Sequence, residues 1–408
     1  MKVGFRGKSQ LKKTDLKDFR ENWSLCYQCS SCYYPGPITP HNWLELPPPE
    51  WSSPLHKCPS FEYFKFKAYT AVGRGNLAVL VFEDNQFPVT DDLIKIVYTC
   101  TSCGMCSEIC PRVRPLTAIW ALREELVRRG VQLPAPLKKI DANIQKFDNL
   151  FGLQRPPRVF KGVPTSGEDV YFAGCVARFQ EPKVFTAVVQ ILKAAGLTIA
   201  HLKEEERCCG FIPGHNGNTQ LLEEKALQNV EALNKAGAKR VIASCAHCYK
   251  TLKMDYPLIV GELPFEVVHI SQLLANLIEG RKIKFTTELE KKVTYHDPCF
   301  LGRHGKVYDE PRKILESIKG IKVAEMEFNR RWAHCCGSGA KITSGCYPEF
   351  AAAMTKERLA EGREVADTIV TACTTCFRHM AEAKRKEGLK LEIYDLPILV
   401  AEAIGIRI

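Results

Sequence analysis

The chain has 408 residues, 45% of them hydrophobic, with 27 glycines, 24 prolines and 19 cysteines, which excludes a disordered or fibrous protein and predicts two or three domains. Cysteine usage is high yet below the density of a disulfide-stapled miniprotein, and a chain this long folds without staples, so the thiols are expected to serve chemistry in a reducing cytoplasm. The net charge is +11, from 57 Lys plus Arg against 46 Asp plus Glu, and no apolar run approaches the 18 or more residues of a membrane span.

Residues 1–20 carry seven basic and two acidic side chains and lack the apolar stretch of a secretory signal. Two readings stand for them: a solvated tail, or a docking element for anionic lipid or an acidic partner subunit. No zinc-finger spacing, RNA-binding motif or aromatic-interleaved basic stretch promotes nucleic acid to a partner.

Eight thiols follow between residues 26 and 110. Cys100, Cys103, Cys106 and Cys110-Pro111 have the spacing of two-cluster ferredoxins, in which three thiolates hold one cluster and the fourth reaches the other. The partner run Cys26, Cys29, Cys32 has Gly36 where a fourth thiol is expected, although Pro37 follows. Cys58-Pro59 restores the Cys-Pro pair after a proline-rich insertion, residues 33–57, with seven prolines, Trp43 and Trp51. The expected ligand sets are therefore Cys26, Cys29, Cys32 and Cys110 for one cubane [4Fe-4S] cluster and Cys58, Cys100, Cys103 and Cys106 for the other. If Cys58 is instead structural, the second set has three thiolates and suits a three-iron species. The insertion reads as a docking loop or a spacer.

Pro134–Pro136 and the stretch 155–167 separate this part from the remainder of the chain. Five cysteines come next, Cys175, Cys208, Cys209 (with Gly210 after them), Cys245 and Cys248. They recur as Cys299, Cys335, Cys336 (then Gly337), Cys373 and Cys376, at offsets of 124, 127 and 128 residues, so the second part of the chain is an internal repeat. Short β-prone runs precede the cysteines: 170–173, 198–202, 240–243 and 265–270 in the first copy, 293–296, 322–327, 367–371 and 391–396 in the second. Helical patterns at 221–236 and 349–361 lie between them, and a Lys- and Glu-rich stretch at 280–292 separates the copies. Alternating strands and helices predict a parallel sheet in each copy, with the thiols gathered at the carboxyl ends of the strands. The fold class expected is multidomain α/β: a mainly helical two-cluster ferredoxin-type unit (1–160) followed by two tandem α/β cysteine-rich units (161–285 and 286–408). Only Cys346 falls outside every pattern and reads as a buried small hydrophobe. Gly210 and Gly337 are expected to let the backbone approach a cluster closely. Structural zinc is the competing reading of each C-x-x-C pair. Against it stand five thiols per copy instead of four, and adjacent cysteines that fit one tetrahedron badly.

Two consecutive C…CCG…C-x-x-C units behind a two-cluster ferredoxin domain resemble heterodisulfide reductase, in its D subunit or as a fusion of its C and B subunits, over about residues 22–400. The resemblance implies a non-cubane [4Fe-4S] cluster on each set of five cysteines and cleavage of a disulfide, such as CoM-S-S-CoB, between them. A similar architecture serves as a non-catalytic electron-relay component of flavoprotein dehydrogenases and quinone-linked modules. No G-x-G-x-x-G or G-x-x-x-x-G-K-[ST] is present, so nucleotide cofactors are expected on partner subunits, a flavoprotein or a b-type cytochrome, with any membrane association peripheral and through that partner. A thiolate product needs a proton. His296 and His304 flank Cys299, His334 precedes Cys335, and these three are the catalytic candidates; His247 lies inside Cys245-x-x-Cys248. The competing account of each histidine is a hydrogen bond to cluster sulfur or chance proximity among ten histidines.

Overall fold

The computed structural model describes Trp23, Leu25, Cys26, Gln28 and residues 58–110, 112–154 and 161–408. The basic segment 1–20, Cys29, Cys32 and the insertion 33–57 lie outside the described residues. The described residues form a multidomain α/β structure. Its first part is helical: α1 (Pro59–Phe64), α2 (Ala71–Glu83), α3 (Asp91–Tyr98), α4 (Met105–Ile109), α5 (Pro115–Arg128) and α6 (Ala135–Phe147). Thr70 and Thr90 cap α2 and α3, their hydroxyls accepting from the N–H groups of Gly73 and Leu93, donors that a helix cannot satisfy internally. α2 packs on α5, with Ala78, Val81, Leu122 and Leu126 buried. The prolines at 134 and 136 open α6 instead of making a linker, since proline at a first helical turn forfeits no hydrogen bond. Asp141 of α6 then accepts from the side-chain amides of Asn216 and Asn218, both at 2.9 Å, so α6 is tied to the first repeat.

The first repeat comprises β1 (Asp169–Phe172), α7 (Gly174–Phe179), α8 (Pro182–Ala194), α9 (Phe211–Asn216), α10 (Thr219–Lys235), β2 (Arg240–Ala243), α11 (Ala246–Lys250), α12 (Tyr256–Val260), β3 (Glu266–His269) and α13 (Ile270–Glu279). The second comprises β4 (Lys291–His296), α14 (Asp309–Ser317), β5 (Ile321–Val323), α15 (Ile342–Cys346), α16 (Pro348–Val365), β6 (Thr368–Thr371), α17 (Thr374–Lys386), β7 (Glu392–Asp395) and α18 (Leu396–Ala403). Both sheets are parallel, in the orders β1-β2-β3 and β5-β4-β6-β7. An isolated parallel bridge, Val170 to Ala200, stands in the first repeat where β5 stands in the second. The extended run expected at 198–202 is thus reduced to one bridge, because at Leu202 the backbone turns helical into the short turn Lys203–Glu205. β5 ends at Val323, short of the expected 327, where Glu325 turns to pair with Arg312.

The central strands carry near-continuous apolar runs (Val170, Tyr171 and Phe172; Val241, Ile242 and Ala243; Ile369 and Val370), all fully buried as a parallel sheet covered on both faces requires. The last helix, α18, crosses back onto α8, so the second repeat contributes to the core of the first. Every strand that precedes a cysteine ends on the same side of its sheet: Cys175 follows β1, Cys245 follows β2, Cys299 follows β4 and Cys373 follows β6. No described helix is long and apolar enough to cross a membrane.

Candidate metal centre

Cys58 stands at the N-terminal cap of α1, Cys100 and Cys103 lie on the loop that enters α4, and Cys106 lies in the first turn of that helix. The loop curls because Ser102 and Gly104 adopt positive φ, 55° and 82°. These four thiols surround one cavity of roughly 350 Å³, so the structure brings together the set that the sequence pattern joined. Arg74 lines the same cavity, fully buried, donating to the carbonyl of Ile96 at 2.7 Å and the hydroxyl of Thr99 at 3.1 Å. Burial pushes the Cys58 thiol up to about 11, against the pull of Arg74, with Cys100 and Cys103 adding to the rise. Cys26 and Cys110 are half-buried, and the N–H of Val113 donates to the sulfur of Cys110 at 3.4 Å.

The ten cysteines of the repeats form one line. Neighbouring thiols act on one another's titration in sequence: Cys175 and Cys208, Cys208 and Cys209, Cys209 and Cys248, Cys248 and Cys245. Cys245 then meets Cys373 of the other repeat, and the line continues through Cys376, Cys336 and Cys335 to Cys299. The sulfurs of Cys336 and Cys376 are hydrogen-bonded, 3.4 Å apart. All ten are free thiols, nine of them buried and Cys299 half-buried. Near its end the line borders the first part of the chain, since Cys335 and Cys103 line one small cavity. Hydrogen bonds from Cys208 and Cys248 bring Cys209 down to about 6, and those from Cys248 and Cys373 hold Cys245 well below the usual thiol range. Those from Cys299 and Cys336 do the same for Cys335. These three are drawn toward the thiolate, the form in which cysteine binds metal, while neighbouring thiols and burial push the other seven above the ordinary thiol range. When bound, an iron-sulfur cluster supplies one-electron storage at such a set.

The crossing between repeats is attended by His247, whose Nδ1 lies 3.7 Å from Cys245 and 3.8 Å from Cys373. Its ring is held by Phe211 and Phe300, one from each repeat. A cavity of roughly 700 Å³, part of it open to solvent, faces the first repeat's site: all five cysteines of that repeat line it, as does His247. Opposite them the second repeat presents Lys341, Thr375, Arg378 and His379. Burial draws the Lys341 ammonium below its ordinary value, opposed by Glu382. None of the second repeat's five cysteines lines this cavity.

The three candidate histidines have separate placements. His296 is buried beside Cys336 and Cys376, with ligand atoms of the three within 4.8 Å of one another. Its Nδ1 accepts from Nε of Arg358 at 3.0 Å, and burial followed by the Arg358 charge drives its pKa well below the ordinary value, so the ring is neutral. His304 is stacked on Phe300 and Trp120 and joins the carbonyl of Ser102 at 3.1 Å, on the loop of Cys103; burial takes it down to about 3. His334 stacks on Phe328 and hydrogen-bonds to the carboxylate of Glu361. Cys346 is half-buried, with burial raising it to about 11.

Gly210 and Gly337 correct an expectation. Both have positive φ, 81° and 87°, but an added Cβ would meet Leu222 of α10 in one case and Thr355 and the carbonyl of Ala351 of α16 in the other. They permit close approach to a helix, not to sulfur. The glycine that approaches sulfur is Gly174, where a Cβ would stand 2.7 Å from Cys248. Sequence reading missed it, along with His247 as the residue between the two sites. A Gly-Cys dipeptide directly after a strand was the available signal.

Two families match the chain: "4Fe-4S dicluster domain" over residues 21–113, and "Cysteine-rich domain" (CCG) twice, over 170–253 and 293–381. The D subunit of dihydromethanophenazine:CoB–CoM heterodisulfide reductase from Methanosarcina barkeri is 36% identical over 321 residues, 76% of this chain and 78% of that protein. The B subunit of fumarate reductase (CoM/CoB) from Methanothermobacter marburgensis is 35% identical, covering 72% of this chain and 58% of that one. The EtfAB:quinone oxidoreductase of Syntrophomonas wolfei is 32% identical over 76% of this chain and 47% of its own length. Among solved structures, a hypothetical protein from Helicobacter pylori superposes with a TM-score of 0.55 at 10% identity, over 83% of this chain and 68% of that one, a likeness of fold alone. With both family patterns in place and a relative matched over most of its length, the chain belongs to the heterodisulfide reductase D-subunit family of iron-sulfur electron-transfer proteins.

Proposed function

We propose that the chain receives electrons singly at two cubane [4Fe-4S] clusters in a unit spanning 1–160 and passes them to two non-cubane clusters. These sit in the cysteine-rich units 161–285 and 286–408. The acceptor reduced there is a heterodisulfide of the CoM-S-S-CoB type. The observation that carries this reading is the line of ten thiols, which starts beside Cys103 and ends at a cavity lined by all five cysteines of the first repeat. Breaking the S–S bond consumes two electrons and two protons and leaves two thiols, so single-electron deliveries must be paired. The chain's own contribution is to hold the two sites in contact through Cys245 and Cys373, to wall the cavity with buried sulfur, and to place Lys341 and Arg378 across from it. His296, His304 and His334 are retained as proton-handling candidates at the second repeat.

A second reading, relay of electrons to a quinone without disulfide chemistry, is favoured by the similarity to the EtfAB:quinone oxidoreductase. Both readings call for a flavoprotein or b-type cytochrome partner, and both suit a cytoplasmic chain that reaches a membrane only through that partner. Anaerobic purification from the native source, with iron content and an assay for reductant-dependent heterodisulfide cleavage, separates them. About sixteen irons per chain and cleavage support the first reading. Cubane spectra alone, without cleavage, overturn it, and reduction of a quinone analogue would then establish the second.

A further inference from the structure

Arg303 lies on the loop after Cys299, and only 5% of its surface is exposed. Its guanidinium spans the joint between the first part of the chain and the second repeat. Nε donates to the carbonyl of Cys103 at 2.7 Å, and one terminal nitrogen donates to the carbonyls of Ala333 at 2.6 Å and Arg331 at 3.1 Å. These acceptors are all backbone carbonyls, and no carboxylate forms an ion pair with it among the described residues. That is an unusual position for a cation. The other buried guanidiniums of the repeats have carboxylates: Arg312 has Asp297 and Glu325, Arg358 has Glu361, and Arg178 has Glu206.

A buried charge is tolerated only when something compensates it. Beside Arg303 lie the thiols of Cys103, Cys299 and Cys335, which carry negative charge once they ligate a metal. Arg303, Cys103 and Cys335 also line one small cavity between the two parts of the chain. Cys103 belongs to the first part's second thiol set, and Cys299 and Cys335 to the second repeat's set. A single cation is therefore shared by two candidate centres.

We propose that Arg303 is a positioning residue for electron transfer: its fixed charge, placed between the centre of Cys58, Cys100, Cys103 and Cys106 and the centre of the second repeat, raises the reduction potential of both. The inference rests on the reading that these thiols bind clusters. In the step concerned, one electron leaves the first centre and one arrives at the second; no bond is made or broken and no proton moves. Each centre gains negative charge when reduced, and the guanidinium stabilises that form. None of the first repeat's five cysteines lines the cavity at this joint.

The test is an EPR-monitored redox titration of the anaerobic full chain and of Arg303→Gln, with iron content and thermal stability measured beside it. Signals are assigned beforehand from Cys103→Ser and Cys335→Ser. If those two variants leave every signal unchanged, the ligand reading fails, an outcome separate from failure of the proposal. With signals assigned, Arg303→Gln is expected to lower the one-electron reduction equilibrium of both flanking centres about tenfold, a negative shift of about 59 mV, while the first repeat's signal stays in place. Arg303→Lys, which keeps the charge and loses the fork, is expected to recover most of the shift. Unchanged potentials in Arg303→Gln with lowered thermal stability would make the residue a mere staple and overturn the proposal, as would equal shifts in the Gln and Lys variants. Should Arg303→Gln assemble no clusters, iron content of Arg303→Lys decides: full iron supports a requirement for charge, and iron loss overturns it.

Discussion

Glu206 sets the position of Cys175. One carboxylate oxygen accepts from the N–H of Ala173 and the other from that of Gly174, both at 2.9 Å, and behind them stand Arg178 and His201. Burial pushes this carboxyl up, but Arg178, His201 and the backbone donors outweigh it and hold it below the usual carboxylate range. Glu206→Gln has one acceptor oxygen where two are needed and leaves Arg178 without its counter-charge. The expected loss is roughly 3–5 kcal/mol, read by denaturant unfolding. Because the folded value is depressed, the contribution of Glu206 is present above the unfolded carboxyl value of about 4.3 and is lost as pH falls through the folded value. Wild-type stability should therefore decline on acidification below about pH 4.3 more steeply than that of Glu206→Gln. Parallel pH profiles of the two proteins would refute this.

At the scale of elements, the loop that follows each strand is shaped by what lies beneath it. Gly174→Ala places a methyl group 2.7 Å from the sulfur of Cys248 and forces a non-glycine residue to φ 75°, itself a cost of roughly 1–2 kcal/mol. The expected result is selective loss of iron from the first repeat, with the second repeat's content retained. In the Cys-Cys-Gly turns, Gly337→Ala should destabilise more than Gly210→Ala. Its Cβ would meet a carbonyl oxygen of α16 at 2.5 Å, whereas that of Gly210 meets first the mobile end of Leu222 at 2.8 Å. Thermal unfolding of the two variants ranks them. Most of this level was legible in advance. Cysteine spacing, β-prone runs and helical periodicity are local properties, so β2 falls on the expected residues and α10 and α16 within a few. That Cys58 shares a cavity with Cys100, Cys103 and Cys106 was legible through the proline after it. What escaped was pairwise: Gly174 matters because of Cys248, and Gly337 because of Thr355, and neither partner is near enough in sequence for spacing to reveal.

For the whole molecule the same limit is sharper, because the decisive contacts join residues 92 to 202 positions apart. Arg123 of α5 is fully buried and donates to the carbonyls of Val97 and Cys100 on its own side and of His215 in the first repeat, at 2.9, 2.7 and 2.7 Å. Tyr98 likewise donates to the carbonyl of Asn216 at 2.8 Å. Together with His304 on Ser102, these bonds seat the first part of the chain against both repeats. Arg123→Met would keep the volume and strand three buried carbonyls, at a cost of roughly 2–4 kcal/mol. Hydrogen exchange should then quicken at Cys100 and in α9 together; quickening at one without the other would mean that the parts are not coupled through this residue. A fold with a +11 charge and no carboxylate at Arg303 was not something composition could reveal, since the guanidinium's surroundings exist only once the two halves meet.

The contiguity of the ten thiols also bears on how such a chain must be made. Neighbouring sulfurs such as Cys336 and Cys376, at 3.4 Å, stand near enough to pair with each other when no metal occupies them. In air, the newly synthesised polypeptide would close its own ligand sets two by two, dioxygen taking the electrons, and one wrong closure near Cys245 would consume a sulfur from each repeat. Maturation is thus a race between iron delivery and self-oxidation, and a brief aerobic exposure before loading should leave protein that regains iron only after treatment with a thiol reductant.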